Sequence, residues 1–566
     1  MPYAAPIADY KFILDQLISF DQIAATQLFG DATPETVDAV LTEAAKLCEN
    51  TLAPLNRMGD KHPAKLENGV VRTSPGYAQG YRAIADGGWI GISSPRAYGG
   101  MGLPLVLATC VNDMMGSACL SLQLNPLMTQ GQIEALEHHA SDAIKALYIP
   151  RLISGEWCGT MNLTEPQAGS DVGALRTKAV ANGDGTYAVS GQKIYITWAD
   201  NDFTANVCHL VLARLPGGGE GTRGISLFLV PKFLPNEDGT LGARNALQVV
   251  SLEHKLGLHG SPTAVMQYDG ATGWLIGAEH KGMAAMFTMM NNARLGVGMQ
   301  GVSVAEAAFQ HALAYANTRK QGQTPQGETA IVDHADVRRM LAEMKAETFA
   351  ARAIGLSCAA AIDMARATGN PEWLARAALL TPIAKAYGTD TGCDVAQKGI
   401  QVHGGMGFIE ETGAAQFARD VRVTTIYEGT NGIQAMDLVG RKMADKGDAA
   451  FRLIDEMQAY AEAARGKMGA LSSDVWNACE AMRKATEHLV ATPVADRFAV
   501  AVPYLRAFAL VLGAQFHLRS AVVDPARLPL AQFMIRRLLP AHLGLLAQVN
   551  EGAKGMDALR AEFVTA

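Results

Sequence analysis

The stretch TTIYEGTNGIQ, residues 424–434, holds the residue with the clearest chemical potential in the chain. An apolar, β-branched run meets Tyr427 and Glu428, and the chain then breaks at Gly-Thr-Asn-Gly. A carboxylate placed there is either a solvated turn residue or a base at the edge of an apolar pocket. In the second case loss of water raises its pKa and makes it a better proton acceptor. Four further stretches combine polar or aromatic groups with tight turns. They are GTMNLTEPQAGSDVGALRTKA (159–179), GQKIYITWAD (191–200), NTRKQ (317–321) and QVHGGMGF (401–408). Each also has an ordinary structural reading. Glu165-Pro166 suits the exit of a strand, Tyr195 on an alternating strand suits a core, and Gly404-Gly405 suits a helix end at a tight turn.

These residues need a scaffold that joins distant parts of the chain. Residues 1–155 read as α-helical. Thr33 is a candidate cap for TPETVDAVLTEAAKLCEN, with Glu35 close behind it. A helix from Tyr77 ends at the Gly87-Gly88 pair, LPLVLATCVNDMMGSACLSLQL has a buried-helix pattern, and a helix capped at Ser141-Asp142 is expected to close at Pro150. Residues 156–280 change character. Short β-branched and aromatic runs separated by GDG, GGGEG and EDGT predict an antiparallel β module. Residues 281–445 return to long helices with short connections, which predict a bundle. The first, running to about Gln321, is expected to contain a break. Residues 446–566 form a further helical domain in which AVPYLRAFALVLGAQFHL carries an apolar stripe that needs a partner surface.

The bulk properties remove several function classes. The chain has 566 residues, enough for two to four domains. Its 49% hydrophobic and 18% charged content suits a globular protein. The net charge is −7 and residues 446–566 carry 14 Lys/Arg against 12 Asp/Glu, so no nucleic-acid partner is expected. Eight cysteines without C-x-x-C spacing predict neither a metal site nor a redox dithiol. Scattered thiols fit a reducing compartment, and the N-terminus has no signal-like order, so a cytoplasmic protein is expected. No uninterrupted apolar run reaches ~18 residues, so no membrane span is expected.

Together with IYEGTNGIQ, the four stretches resemble the acyl-CoA dehydrogenase family in sequence and order, over about residues 35–440. The resemblance implies a mainly α fold with a central β-barrel domain between a helical domain and a four-helix bundle. The C-terminal helical domain is then an addition. It implies FAD between the barrel and the bundle, and Glu428 as the base that takes the α-proton of an acyl-CoA thioester. In the family the Glu428 N–H and a ribityl hydroxyl meet the thioester oxygen. Leu163 and Thr164 would meet the flavin's pyrimidine edge, and Tyr195 and Thr197 its other face. The family commonly has tryptophan where Tyr195 stands. Arg319 would pair with the FAD pyrophosphate across a dimer interface, although the usual Phe-Gly after it is replaced by Gln321-Gly322-Gln323. Gln401, Gly404 and Gly405 match the segment supporting the adenosine half, while Thr430 and Asn431 can cap a helix or meet the flavin. Ser170, Asn291, Arg294, Tyr427 and Gly429 would lie with the acyl-CoA.

Some members place the base just before the arginine that corresponds to Arg294. Here that position is Ala293, so Glu428 is left alone in the role. The long N-terminal segment and the extra domain resemble the longer bacterial branch of the family. The resemblance further implies electron transfer to an electron-transferring flavoprotein, and the extra domain favours a homodimer over a tetramer. Relatives with other roles are a fatty acyl-CoA dehydrogenase of β-oxidation, an acyl-CoA oxidase, and a DNA-binding flavoprotein of the same fold.

Overall fold

The computed structural model describes residues 3–325 and 327–564. Helices α1 (Pro34–Leu47), α2 (Tyr77–Asp86), α3 (Leu105–His139) and α4 (Asp142–Ile153) dominate the N-terminal region. Thr33 caps α1 by accepting from the Thr36 N–H, and Ser141 caps α4 through the Ile144 N–H. Helix α4 does not close at Pro150 but continues to Ile153. The Ser154 N–H closes the last turn on the Pro150 carbonyl oxygen at 2.9 Å, and Leu152 and Ile153 are buried, which holds that turn in place. The buried helix α3 is longer than its apolar core suggested. It kinks at Cys119, whose backbone is non-helical, and passes through Pro126 to His139.

Seven strands follow: β1 (Trp157–Asn162), β2 (Lys178–Ala181), β3 (Tyr187–Thr197), β4 (Asn206–Arg214), β5 (Ile225–Pro231), β6 (Leu247–Leu252) and β7 (Thr263–Ile276). Their order is β6-β7-β3-β2-β4-β1, and β5 pairs with both β7 and β4, so the central strands close into a barrel. The expectation of a purely antiparallel module is corrected here. β1 runs parallel to β4, with Trp157 opposite Asn206, and β2 touches β4 in parallel. The connection from β1 to β2 is long enough to carry the chain across, which a hairpin could not do. Val189, Ile196, Val211, Phe228 and Tyr268 fill the barrel.

The bundle is built from α5 (Gly282–Thr318), α6 (Ala335–Thr368) and α7 (Pro371–His403), with α3 against α5. The break expected in α5 is absent: it is one continuous helix. Small residues let α5 and α7 meet backbone to backbone. A Cβ at Gly301 would lie 2.2 Å from the Gly388 carbonyl oxygen. Helix α8 (Asn431–Val439) follows, and then the added domain with α9 (Asp448–Met468), α10 (Ala470–Ala491), α11 (Ala501–Val523) and α12 (Ala541–Glu551). Helix α11 buries its apolar stripe between the added domain and the bundle helices α6 and α7.

Three segments are long and apolar enough to cross a membrane by length and composition: Leu105–His139, Ala335–Thr368 and Val494–Val523. This corrects the expectation that no such segment exists. Interior helices are apolar on every side because neighbours cover them on every side. The apolar windows of these three are 89%, 78% and 67% buried within the fold.

Candidate active site

The loop before α8 carries Glu428, and its shape is set by three residues around it. Thr430 caps α8, accepting from the Ile433 N–H at 3.2 Å. Asn431 turns its amide into the bundle. Its Nδ2 donates to Asp390 Oδ1 at 2.7 Å and to Thr389 Oγ1 at 3.0 Å, and its Oδ1 accepts from Lys385 Nζ at 2.9 Å. Lys385, buried on α7, also donates to the Gly429 carbonyl oxygen at 2.9 Å. Gln434 Nε2 donates to the Glu428 carbonyl oxygen at 3.2 Å. Glu428 itself has φ +55°, the left-handed region that non-glycine residues rarely occupy. Among the described residues none accepts a hydrogen bond from its N–H.

The electrostatics of the loop are dominated by lost water. Burial pushes the Glu428 carboxyl up to about 7, against the pull of Arg294 and Lys385. Burial pulls Lys385 down to about 8, with Glu428 and Asp390 opposing. Tyr427 is pushed up by burial, with Glu428 adding to the shift, and its hydroxyl donates to Gln300 Oε1. Arg294, on α5, is buried, with Nη1 3.8 Å from Asp437 Oδ2 and an Nε that has no partner. Ala293 beside it is buried and apolar. The side chain of Asn291 lies outside the described residues.

The barrel edge presents a second group. At the end of β1, Lys193 Nζ donates to the Leu163 carbonyl oxygen at 2.9 Å and to Glu165 Oε1 at 2.8 Å. Glu165 also accepts from the Arg176 and Thr177 N–H groups. These bonds hold Glu165 down to about 2 despite its burial, and they fix the Leu163-Thr164 exit. Tyr195 has φ +61° and is 61% exposed, so it is not core. Thr197 pairs with Thr263 across β3 and β7, and the next residue, Trp198, anchors to α3 through the Ser121 carbonyl oxygen at 3.0 Å. Ser170 is exposed on the following turn.

A third group lies apart from Glu428. Gln401, Gly404 and Gly405 are exposed at the far end of α7, roughly 25 Å along the helix from Lys385 at 1.5 Å per residue. Gly404 has φ +60°, and a Cβ on either glycine would meet nothing within 4 Å. Arg319 is exposed at the C-terminal end of α5, where Nη2 donates to Gln321 Oε1 at 3.1 Å. Sequence reasoning missed Lys385, Gln300 and Gln434. A lone lysine inside ALLTPIAKAY was the available signal for the first.

The sequence matches the acyl-CoA dehydrogenase N-terminal domain over residues 34–156, its middle domain over 160–271 and its C-terminal domain over 280–444. It is 45% identical over 519 residues to 3-methylmercaptopropionyl-CoA dehydrogenase of Ruegeria pomeroyi, covering 89% of this chain and 88% of that one. The chain belongs to the acyl-CoA dehydrogenase family. It is thereby an oxidoreductase acting on the CH–CH bond of acyl-CoA, in an FAD-dependent family. A butyryl-CoA dehydrogenase of Syntrophomonas wolfei is 35% identical over 78% of this acyl-CoA dehydrogenase and 76% of its own length.

Solved structures agree on the fold. Caenorhabditis elegans ACDH-11 in complex with C11-CoA superposes with a TM-score of 0.78 at 20% identity, covering 95% of this chain and 93% of that one. An acyl-CoA dehydrogenase complexed with FAD from Bacillus anthracis gives 0.75 at 19%, covering 93% and 90%. Butyryl-CoA dehydrogenase of Megasphaera elsdenii gives 0.61 at 25% and covers 72% of this chain, though 97% of its own. Residues 453–560 match an acetyl-CoA dehydrogenase C-terminal-like domain. The residues present suit FAD: an exposed ring at Tyr195, an exposed guanidinium at Arg319, and open backbone at Gly404-Gly405.

Proposed function

We propose that this acyl-CoA dehydrogenase oxidises 3-methylmercaptopropionyl-CoA to 3-methylthioacryloyl-CoA, with Glu428 as the base. The observation that carries the mechanism is the left-handed turn at Glu428, braced by Lys385 and Gln434, where burial raises the carboxyl to about 7; buried Ala293 stands at the position where a second base could have stood. Leu163, Thr164, Tyr195 and Thr197 would hold FAD, which when bound would supply the acceptor for the β-hydride. Glu428 takes the α-proton, and its free N–H meets the thioester oxygen where negative charge develops. The left-handed backbone of Glu428, fixed by Lys385 and Gln434, aims that N–H. Tyr427, Gly429 and Ser170 line the path of the acyl-CoA, with Arg294 and Asn291 on its CoA side. Identity over most of the chain to the Ruegeria pomeroyi enzyme supports the sulfur-containing substrate.

The separation of Arg319, Gln401, Gly404 and Gly405 from Glu428 supports a cofactor shared between two subunits of a homodimer. The added domain then covers the face that a second dimer would use. Electrons pass to an electron-transferring flavoprotein, and the eight unpaired cysteines fit a cytoplasmic enzyme. Stopped-flow bleaching of the flavin by a panel of acyl-CoA thioesters tests the substrate. Fast reduction by 3-methylmercaptopropionyl-CoA is expected. Reduction by butyryl-CoA alone would remove the sulfur substrate, and turnover in air without an acceptor would make the enzyme an oxidase. Light scattering should give the mass of a dimer, and a tetramer at every concentration would refute that assembly.

A further inference from the structure

A cavity of about 310 Å³ lies away from the catalytic loop, between the added domain, helices α6 and α7, and the N-terminal segment. Leu17, Leu380, Leu512 and Phe516 give it apolar walls, and exposed Gln22 stands at its rim. One charged donor on α11, Arg519, faces this space, with the amide of Gln515 beside it. The Arg519 guanidinium lies 5.4 Å from the Tyr460 ring centre and 6.0 Å from that of Phe516. Gln515 is buried, and its side-chain Oε1 has no hydrogen-bond partner.

Arg519 is unusual among the half-buried and buried arginines. Arg352 meets Asp113 and Glu306, Arg527 meets Asp9, and Arg497 donates to three carbonyl oxygens. Among the described residues no carboxylate lies within ion-pair distance of Arg519. The nearby carboxylate, Glu456, is taken by Arg376, which itself lies over Trp373. A guanidinium held among aromatic rings and apolar walls without an ion pair of its own is costly: burial pulls its pKa down, and Glu456, which also lines the cavity but is paired with Arg376, offsets that only in part. An anion supplied from outside would remove that cost.

We propose that this cavity binds a monocarboxylate with an unbranched apolar chain, its carboxylate on Arg519 and its chain along Leu380 and Leu512. The planar fork of a guanidinium matches a carboxylate through two parallel hydrogen bonds. The volume sets the size. At about 30 Å³ per water-sized atom the cavity holds roughly ten non-hydrogen atoms, the size of an eight-carbon acid. It sits at the small end of the range of roughly 300–1,000 Å³ for ligand pockets.

The test is calorimetric titration of the flavin-loaded enzyme with octanoate, and with octylamine as the opposite charge. Octanoate should bind once per chain, also in the presence of saturating butyryl-CoA, and octylamine should not bind. Arg519→Gln should weaken octanoate by about tenfold or more while flavin content and turnover stay at parent levels. Ser357→Phe, which fills the cavity and keeps Arg519, should abolish binding as well. Absence of octanoate binding, equal affinity in Arg519→Gln, or displacement of octanoate by butyryl-CoA would each overturn the proposal.

Discussion

Lys385 reaches across from α7 to donate to the Gly429 carbonyl oxygen at 2.9 Å, one peptide beyond Glu428. The same ammonium meets Asn431 Oδ1, so one buried cation braces both sides of the turn that carries the base. It also pulls the Glu428 pKa down while burial pushes it up.

Lys385→Met should therefore have two separable effects. Loss of the brace lowers kcat by about tenfold or more, since misplacing a reacting group by a fraction of its bond length is costly. Loss of the positive charge raises the Glu428 pKa further, so the acid limb of the kcat/KM profile moves to higher pH than in the parent. A variant with reduced kcat and an unmoved limb would show that Lys385 has no electrostatic part.

Glu428→Gln should keep FAD and acyl-CoA while flavin reduction slows by roughly 10²–10⁴. Near-parent bleaching in stopped flow would end its assignment as base. The pH dependence has a defined sign. The folded pKa of about 7 stands above the ordinary 4.5, so ionisation of Glu428 opposes folding. That penalty is absent below about 4.5 and complete above about 7. The Gln variant should thus melt higher than the parent at alkaline pH and together with it under acid conditions.

Arg319→Ala should lose FAD more than it loses acyl-CoA. A charge-assisted contact to pyrophosphate is worth roughly 1.5–3 kcal/mol. A full flavin complement after extended dialysis would contradict the placement of Arg319 on the cofactor.

Lys193→Met leaves the Glu165 carboxylate buried beside Leu163-Thr164 without its cation. The expected cost is about 3–5 kcal/mol, read as a lowered thermal midpoint, with weaker flavin retention. In the parent, Glu165 is held down to about 2, so its share of stability is present above the ordinary 4.5 and is lost as pH falls between those values. A Lys193→Met variant with parent stability at neutral pH would show the pair to be dispensable.

Local signals were readable in the sequence because they act over a few residues. Thr33, Ser141 and Thr430 cap the helices expected of them. The order of helical segment, β module, bundle and further helical segment followed from the change of hydrophobic period. What escaped is long-range. The parallel pairing of β1 with β4 depends on a crossover that short β runs do not encode. Lys385 lies 44 positions from its partner Gly429, and Arg506 of the added domain reaches Asp390, the acceptor of Asn431, over 116 positions. The continuity of α5 depends on glycines that serve a helix contact instead of a turn.

The left-handed backbone at Glu428 sets stability and activity against each other at one position. A non-glycine residue held there costs of order 1–3 kcal/mol, which a glycine would not incur. Glycine would also remove the half-buried carboxylate. Selection for heat resistance alone should therefore discard the base: in a library randomised at residue 428 and ranked only by melting temperature, glycine should stand above glutamate. If glutamate ranked first, the strain would be compensated within the loop. Retention of Glu428 in working enzymes then requires selection on turnover, and thermostabilised variants of this chain need an activity screen at every round.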